Sequence, residues 1–290
     1  SVTRGSDKTL SFTIKNTGDA DLSGIAVSKS GTNQAGFTIT ASPSTSLTGP
    51  SGTTTFTVQF APSASGTRTA DIQIASNDSD ENPFDISVTG TGTAPEIVVE
   101  QPDNTGITDG GTKSFGSVNV GSNTSLTFTI KNTGSANLTG LGITVDGTNE
   151  SDFTVTANPT APVAGPSGST TFTVKFTPAA MGSRSAVLHI ANNDSNENPF
   201  DITLTGTGLA PDIAVEVPLG TPVTPTTVGG ANLGSVTVNK VASVTFTISN
   251  PGNSDLTLSN VSLGGTTSPA ITIKSNITST TVAPGGTSQF

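Results

Sequence analysis

The sequence predicts an all-β fold: tandem immunoglobulin-like β-sandwich domains strung into an elongated rod. Three observations predict it. The block Ser11-Phe12-Thr13-Ile14-Lys15-Asn16-Thr17-Gly18 returns as Thr127-Phe128-Thr129-Ile130-Lys131-Asn132-Thr133-Gly134, and more loosely as Thr245-Phe246-Thr247-Ile248-Ser249-Asn250-Pro251-Gly252. Phe, Val, Ile and Leu alternate with Thr, Ser and Lys over short stretches, which is the period of a strand with one buried face, and no stretch carries helical periodicity. Clusters of Gly, Pro, Asn and Asp, drawn from 33 Gly and 18 Pro in 290 residues, separate those stretches as turns.

Phe12 and Phe128 lie 116 positions apart, as do Phe56 and Phe172, Arg68 and Arg184, and Pro83 and Pro199. Such a period exceeds the roughly 20–50 residues of solenoid repeats and matches an independent domain. The boundaries follow: repeat one at 1–92, lacking its first strand; repeat two at 93–208, complete; and repeat three at 209–290, lacking its last strands. The expectation is a segment of a longer protein. The alternative is a subunit whose missing strands come from a neighbouring chain, as in donor-strand complementation.

In the complete repeat, Ile97 and Val99 open a strand just after Pro95. Leu126, Phe128 and Ile130 form the next, closed by the turn Asn132-Thr133-Gly134, where Gly134 is expected to supply a positive φ. Leu138, Leu141, Ile143 and Val145 follow, then Phe153 and Val155. Phe172, Val174 and Phe176 make the clearest strand, stopped by Pro178. Ala186, Leu188 and Ile190 form another, and Phe200, Ile202 and Leu204 the last, ending in Gly206-Thr207-Gly208. About seven strands of this kind pack as two antiparallel sheets face to face, with Phe172 in the core. The linkers Gly90–Pro95 and Gly206–Pro211 are short; proline limits their swing and the glycines leave some freedom. Three such sandwiches in series would make a rod on the order of 100 Å long.

Net charge is −10 with only 11 basic residues, scattered along the chain. That argues against nucleic acid and anionic lipid, which need clustered Lys and Arg. No apolar run is long enough for direct membrane insertion of this segment. Without cysteine there is no disulfide, thiol nucleophile or Cys-ligated zinc.

Candidate sites are few. The loop Asn77-Asp78-Ser79-Asp80-Glu81-Asn82-Pro83 recurs as Asn193-Asp194-Ser195-Asn196-Glu197-Asn198-Pro199. Asp78, Asp80 and Glu81, with Asp194 and Glu197, could hold calcium through carboxylate oxygens. The other reading is a turn whose Asp and Asn bond their own backbone. Asp80 becomes Asn196, which weakens the metal case, so the expectation is no cofactor, with calcium as the one candidate. Glu96, Glu100 and Asp103, with Asp212 and Glu216, sit near the junctions and read as solvated strand ends, with inter-domain calcium as the alternative. His189, the only histidine, reads as an exposed strand residue without a partner. Lys131 and Lys15 could be imagined in an isopeptide cross-link, but Ser249 takes that place in repeat three. No Gly-x-Ser-x-Gly elbow or phosphate-binding glycine loop is present, so the chain is not expected to be an enzyme.

Several motifs carry a family resemblance: Phe115-Gly116-Ser117-Val118-Asn119-Val120-Gly121, the Phe-Thr-Ile-Lys-Asn-Thr-Gly strand, and Thr171-Phe172-Thr173-Val174-Lys175-Phe176-Thr177-Pro178. To these add the Asn-Asp…Asn-Pro-Phe loop and the closing Thr-Gly-Thr-Gly. Through them the chain resembles the bacterial choice-of-anchor D repeat, related to the abnormal-spindle/hydin (ASH) branch of PapD-like immunoglobulin folds. The resemblance implies a large exported protein held at the cell surface, and it brings no catalytic residue. The functional expectation is a non-catalytic stalk or extracellular fibre component. Its partners would be neighbouring repeats and other copies of itself. The alternatives are an adhesion module, using divergent loops such as Pro218–Thr227 and Gly264–Pro269, and an accessory region of a secreted enzyme.

Overall fold

A computed structural model describes residues 1–217, 222–223, 234–264 and 269–290. Of the two divergent loops of repeat three, residues 218–221, 224–227 and 265–268 lie outside the described residues.

Repeat one contains β1 (Val2–Thr3), β2 (Lys8–Lys15), β3 (Leu22–Ser23), β4 (Ala26–Ser30), β5 (Phe37–Ala41), β6 (Ser46–Leu47), β7 (Thr53–Phe60), β8 (Gly66–Ala75) and β9 (Phe84–Thr93). Its two main sheets run β1-β9-β8-β4 and β2-β7-β5. Repeat two contains β10 (Ile97–Glu100), β11 (Gly106–Ile107), β12 (Gly111–Asn119), β13 (Thr124–Asn132), β14 (Gly142–Asp146), β15 (Phe153–Ala157), β16 (Ser169–Phe176), β17 (Gly182–Ala191) and β18 (Phe200–Leu209). Its sheets run β12-β18-β17-β14 and β11-β10-β13-β16-β15. The described part of repeat three holds β19 (Ala214–Glu216), β20 (Pro222–Val223), β21 (Thr247–Ser249), β22 (Leu256–Thr257), β23 (Thr281–Val282) and β24 (Thr287–Gln289). No α-helix occurs among the described residues, only the 3-10 turns Gln34–Gly36 and Glu150–Asp152.

The period-2 pattern does what it promises. On β16, Phe172, Val174 and Phe176 are fully buried while Thr173 and Lys175 face outward. Phe172 stacks on Phe128 across the β13–β16 pair, with centroids 4.8 Å apart. Phe12–Phe56 and Phe246–Phe290 repeat this stack at 5.1 and 4.9 Å. Each pair adds about 0.5–1.5 kcal/mol beyond its buried area. The cores of repeats one and two are separate clusters, one built around Phe56 and Ile72, the other around Phe172 and Leu188.

Three expectations need correction. Repeat two has nine strands rather than about seven, and its sheets are not wholly antiparallel. β12 lies parallel to β18, as β1 does to β9. The alternation that marks a strand is broken in β12 by a bulge between Ser114 and Ser117, where Gly116 takes φ +74°. Phe115 and Val118 therefore face the same core although they are three residues apart.

The second correction concerns Gly134, which is not among the positive-φ residues. It is glycine because a Cβ there would lie 2.4 Å from both Ala94 O and Glu96 N. The third concerns the supposed linker glycines, which belong to the final strands. A Cβ on Gly90 or Gly206 would sit 2.6 or 2.5 Å from the ring of Phe60 or Phe176. The connections proper are short: β9 ends at Thr93 and β10 begins at Ile97, while β18 ends at Leu209 and β19 begins at Ala214.

Candidate functional site

The most elaborate polar structure lies where each linker meets the repeat that follows it. Asn132, fully buried, donates through Nδ2 to Ala136 O (2.8 Å) and Val163 O (2.9 Å). Its Oδ1 accepts from Gly134 N (3.0 Å) and from Glu96 N of the linker (3.2 Å). All four hydrogen-bonding capacities of the carboxamide are thereby used. Asn250 reproduces the set in repeat three, with Ser254 O, Val282 O, Gly252 N and the linker's Asp212 N. Asn16 has the equivalent bonds to Ala20 O, Leu47 O and Gly18 N, without a linker amide.

Ala94 and Ala210 are each held twice. Ala136 N donates to Ala94 O (3.0 Å), and Ala94 N donates to Ser135 Oγ (3.4 Å). Asn253 N donates to Ala210 O (3.0 Å), and Ala210 N donates to Asn253 Oδ1 (2.8 Å). The sequence marked Asn132 as part of a turn. That it is a buried hub could not be read locally, because its partners at Glu96 and Val163 are 36 and 31 positions away.

The loop carboxylates behave differently in the two repeats. Asp194 is buried, and its Oδ2 accepts from Ile97 N (3.0 Å), while its own N–H donates to Asn192 Oδ1 (2.7 Å). Glu197 lies beside it, and Glu96 of the linker joins them, so that one oxygen from each lies within 4.8 Å of the others. Glu197 Oε2 is buried without a hydrogen-bond partner. Burial, then the charges of Glu96, Asp194 and Asp109, push its carboxyl above the usual range. Asp78, Asp80 and Glu81 of repeat one form no such group among the described residues. Their loop is held by its own backbone contacts, Asp80 N donating to Asp78 Oδ1 and Asp78 N to Ser76 Oγ. Glu96, which completes the repeat-two cluster, sits 98 positions before Asp194, and no local signal connects them.

Two readings of single residues change. His189 is half-buried and clasped by two carboxylates: Nδ1 lies 2.7 Å from Asp201 Oδ1 on β18, and Nε2 lies 3.3 Å from Asp146 Oδ1 on β14. The hydrogen bond to Asp201, then that to Asp146, raises its pKa against the opposing effect of burial. Both ring nitrogens are engaged, on opposite sides of the ring, which leaves neither free to activate a nucleophile. Glu100 is not a solvated strand end. It is nearly buried and bonds Lys131 Nζ at 2.8–2.9 Å and Asn104 N at 2.7 Å. Lys131 holds its carboxyl below the usual range.

Comparison with known proteins agrees with this architecture. The family model described as HYDIN/CFA65/VesB-like, Ig-like domain matches residues 1–91 and 110–207. A protein of unknown function from Porphyromonas gingivalis W83 is similar at 16% identity, over 71% of this chain and 93% of its own, with a TM-score of 0.30. The ASH/PapD-like domain 7 of human CEP192 is 14% identical over 39% of this chain and 87% of its own (TM-score 0.28). The C-terminal domain of the Streptococcus agalactiae AgI/II polypeptide BspA is 11% identical over 71% of this chain and 94% of its own (TM-score 0.34). At these scores the likenesses add nothing to the family match. A comparison with curated proteins finds no match. With the family model covering more than half of its length, in two tandem stretches, the chain belongs to the HYDIN/CFA65/VesB-like family of Ig-like domains.

Proposed function

We propose that this chain is a non-catalytic structural segment of a large exported bacterial surface protein, serving as a stalk or fibre component that spaces other parts. The observation that carries this reading is the linker geometry. Three residues separate β9 from β10, and they are bonded at Ala94 and Glu96 to the turn of the repeat they enter. Gly134 and Gly252 let the linker backbone approach so closely that a Cβ would lie about 2.4 Å from it. A connection seated in this way transmits orientation from one sandwich to the next, which is what a spacer requires and a flexible tether lacks. The clasped state of His189 supports the same reading, since the sole histidine is committed to a cross-strand contact.

Negative-stain imaging and small-angle scattering of the purified chain test the proposal. Isolated rods, or periodic fibres of them, are expected. Compact globules, or particles with freely varying angles between repeats, would overturn it.

A further inference from the structure

The two junctions of the chain differ in how the last strand of one sandwich is tied to the sandwich that follows. Between repeats one and two, β9 ends at Thr93. Ala94 N donates to Ser135 Oγ at 3.4 Å, longer than an ordinary N–H···O bond, and Ala94 O accepts from Ala136 N at 3.0 Å. Farther along, Glu96 O accepts from Thr133 N at 2.9 Å. Among the described residues, no side chain of repeat two hydrogen-bonds a residue of β9.

Between repeats two and three, Asn253 stands where Ser135 stands, three residues after the buried asparagine of the turn. A carboxamide carries its donor and its acceptor on separate atoms. Oδ1 of Asn253 accepts from Ala210 N at 2.8 Å, and Nδ2 donates to Gly208 O at 2.7 Å. Gly208 lies within β18, the last strand of repeat two. One side chain of repeat three thus brackets Leu209 and grips the preceding sandwich directly rather than through the linker. Ser135 offers a single oxygen for both tasks and makes only the long bond to Ala94.

We propose that the residue after the Asn-x-Gly turn sets the stiffness of the junction before it. Asn253 locks repeat three to repeat two, and bending of the chain concentrates at Thr93–Ala94, between repeats one and two. The proposal rests on the spacer reading in taking both connections as seated, and it ranks them.

Linker length alone would give the opposite order, since three residues separate β9 from β10 and four separate β18 from β19. Pro251 points the same way: it has no N–H, so the bond from Thr133 to Glu96 has no counterpart at the second junction. Both differences lie downstream of the clamp. With Gly208 and Ala210 already tied to Asn253, slack in Pro211–Ile213 is enclosed in a loop whose ends are joined. It cannot turn one sandwich against the other.

The whole chain can be tested, because it has no cysteine and introduced pairs carry spin labels without background. Thr55→Cys with Thr171→Cys spans the first junction, and Thr171→Cys with Thr257→Cys the second; all three threonines are exposed. Pulsed electron paramagnetic resonance reads the width of each distance distribution, and amide hydrogen exchange reads Ala94 and Ala210. The distribution across the first junction should be the broader one. Asn253→Ser should broaden the second and speed exchange at Ala210 roughly 2- to 10-fold, the Boltzmann factor of one net hydrogen bond. Asn253→Asp keeps the acceptor for Ala210 N but sets a carboxylate oxygen against Gly208 O, so it should broaden the second distribution without speeding Ala210. Ser135→Asn should narrow the first. Two narrow distributions of equal width would sink the proposal and leave the spacer reading standing, whereas two equally broad ones would sink both. A second distribution that neither Asn253 variant changes would also overturn the proposal.

Discussion

Repeats one and two share their spacing and most of their apolar residues, yet repeat two is sealed and repeat one is open. Phe200 is 2% exposed and its counterpart Phe84 47%. Ile130 and Ile202 are fully buried, while Ile14 and Ile86 are only partly so. The difference comes from β10 and the first part of β12, whose counterparts in repeat one would fall before Ser1. An immunoglobulin-like unit of this kind is finished by the segment that leads into it. The linker is thus part of the core of the repeat that follows.

The largest effect that could break this comparison is in the stacked phenylalanines. Phe128→Ala should destabilise repeat two by about 3–5 kcal/mol, because the ring is fully enclosed and leaves a cavity. Phe12→Ala should cost repeat one less than half of that, since its ring already borders the open cleft. Native-state hydrogen exchange, read separately for amides of each repeat, measures both. Equal costs would mean that β10 contributes nothing to enclosure.

A second contrast lies at Arg184. Its Nε lies 3.2 Å from Oδ2 of Asp152, which is 3% exposed, so Arg184→Ala leaves a buried carboxylate without its cation. A loss of about 3 kcal/mol is expected from repeat two. Asp152 aligns with Gly36, and Arg68 donates only to Ser65 O, so Arg68→Ala should stay within about 0.5 kcal/mol.

The glycine of the Asn-x-Gly turn gives a smaller but sharper contrast. Gly134→Ala places a methyl against the linker backbone and should cost about 1–3 kcal/mol. Gly18 meets nothing nearer than Asn16 Oδ1 at 3.6 Å and its φ is not positive, so Gly18→Ala should be neutral or slightly stabilising. Equal effects at the two positions would show that the linker does not rest on Gly134.

These contrasts also mark how far sequence reading reaches. Strands with unbroken alternation, such as Phe172-Thr173-Val174-Lys175-Phe176, were legible because burial on one face leaves a period of two. β12 was not, because its bulge at Gly116 shifts the phase midway. The turn glycines were legible as turns but not as packing sites, since the atoms that exclude a side chain at Gly134 belong to Ala94–Glu96. Asp194 and Glu197 were visible as loop acids. Their burial and the approach of Glu96 depend on how the linker docks, which only long-range structure decides.

The finest distinction is in pH dependence, because repeat two carries raised pKa values at Glu197 and His189. A group whose folded pKa is raised contributes most below its unfolded value, about 4.3 for Glu and 6.5 for His. That contribution is lost as pH rises through the folded value. Repeat two should therefore weaken in two steps as pH climbs, first as Glu197 ionises beside Glu96 and Asp194, then as His189 loses the proton shared with Asp201 and Asp146. Glu100 acts in the opposite sense: its pKa is depressed by Lys131, so its contribution is complete above the ordinary carboxylate range and fades as pH falls through the depressed value. His189→Gln, which copies Gln73 of repeat one, should abolish the upper step, and Glu197→Gln the lower. At neutral pH, Glu197→Gln should raise the melting temperature of repeat two, because an ionised group with a buried, unpartnered oxygen is removed. Calcium is a second means of discharging the same cluster. Wild-type melts that coincide in calcium and in chelator would leave protonation as the only relief, whereas a calcium-dependent rise that Glu197→Gln eliminates would place a cation among Glu96, Asp194 and Glu197.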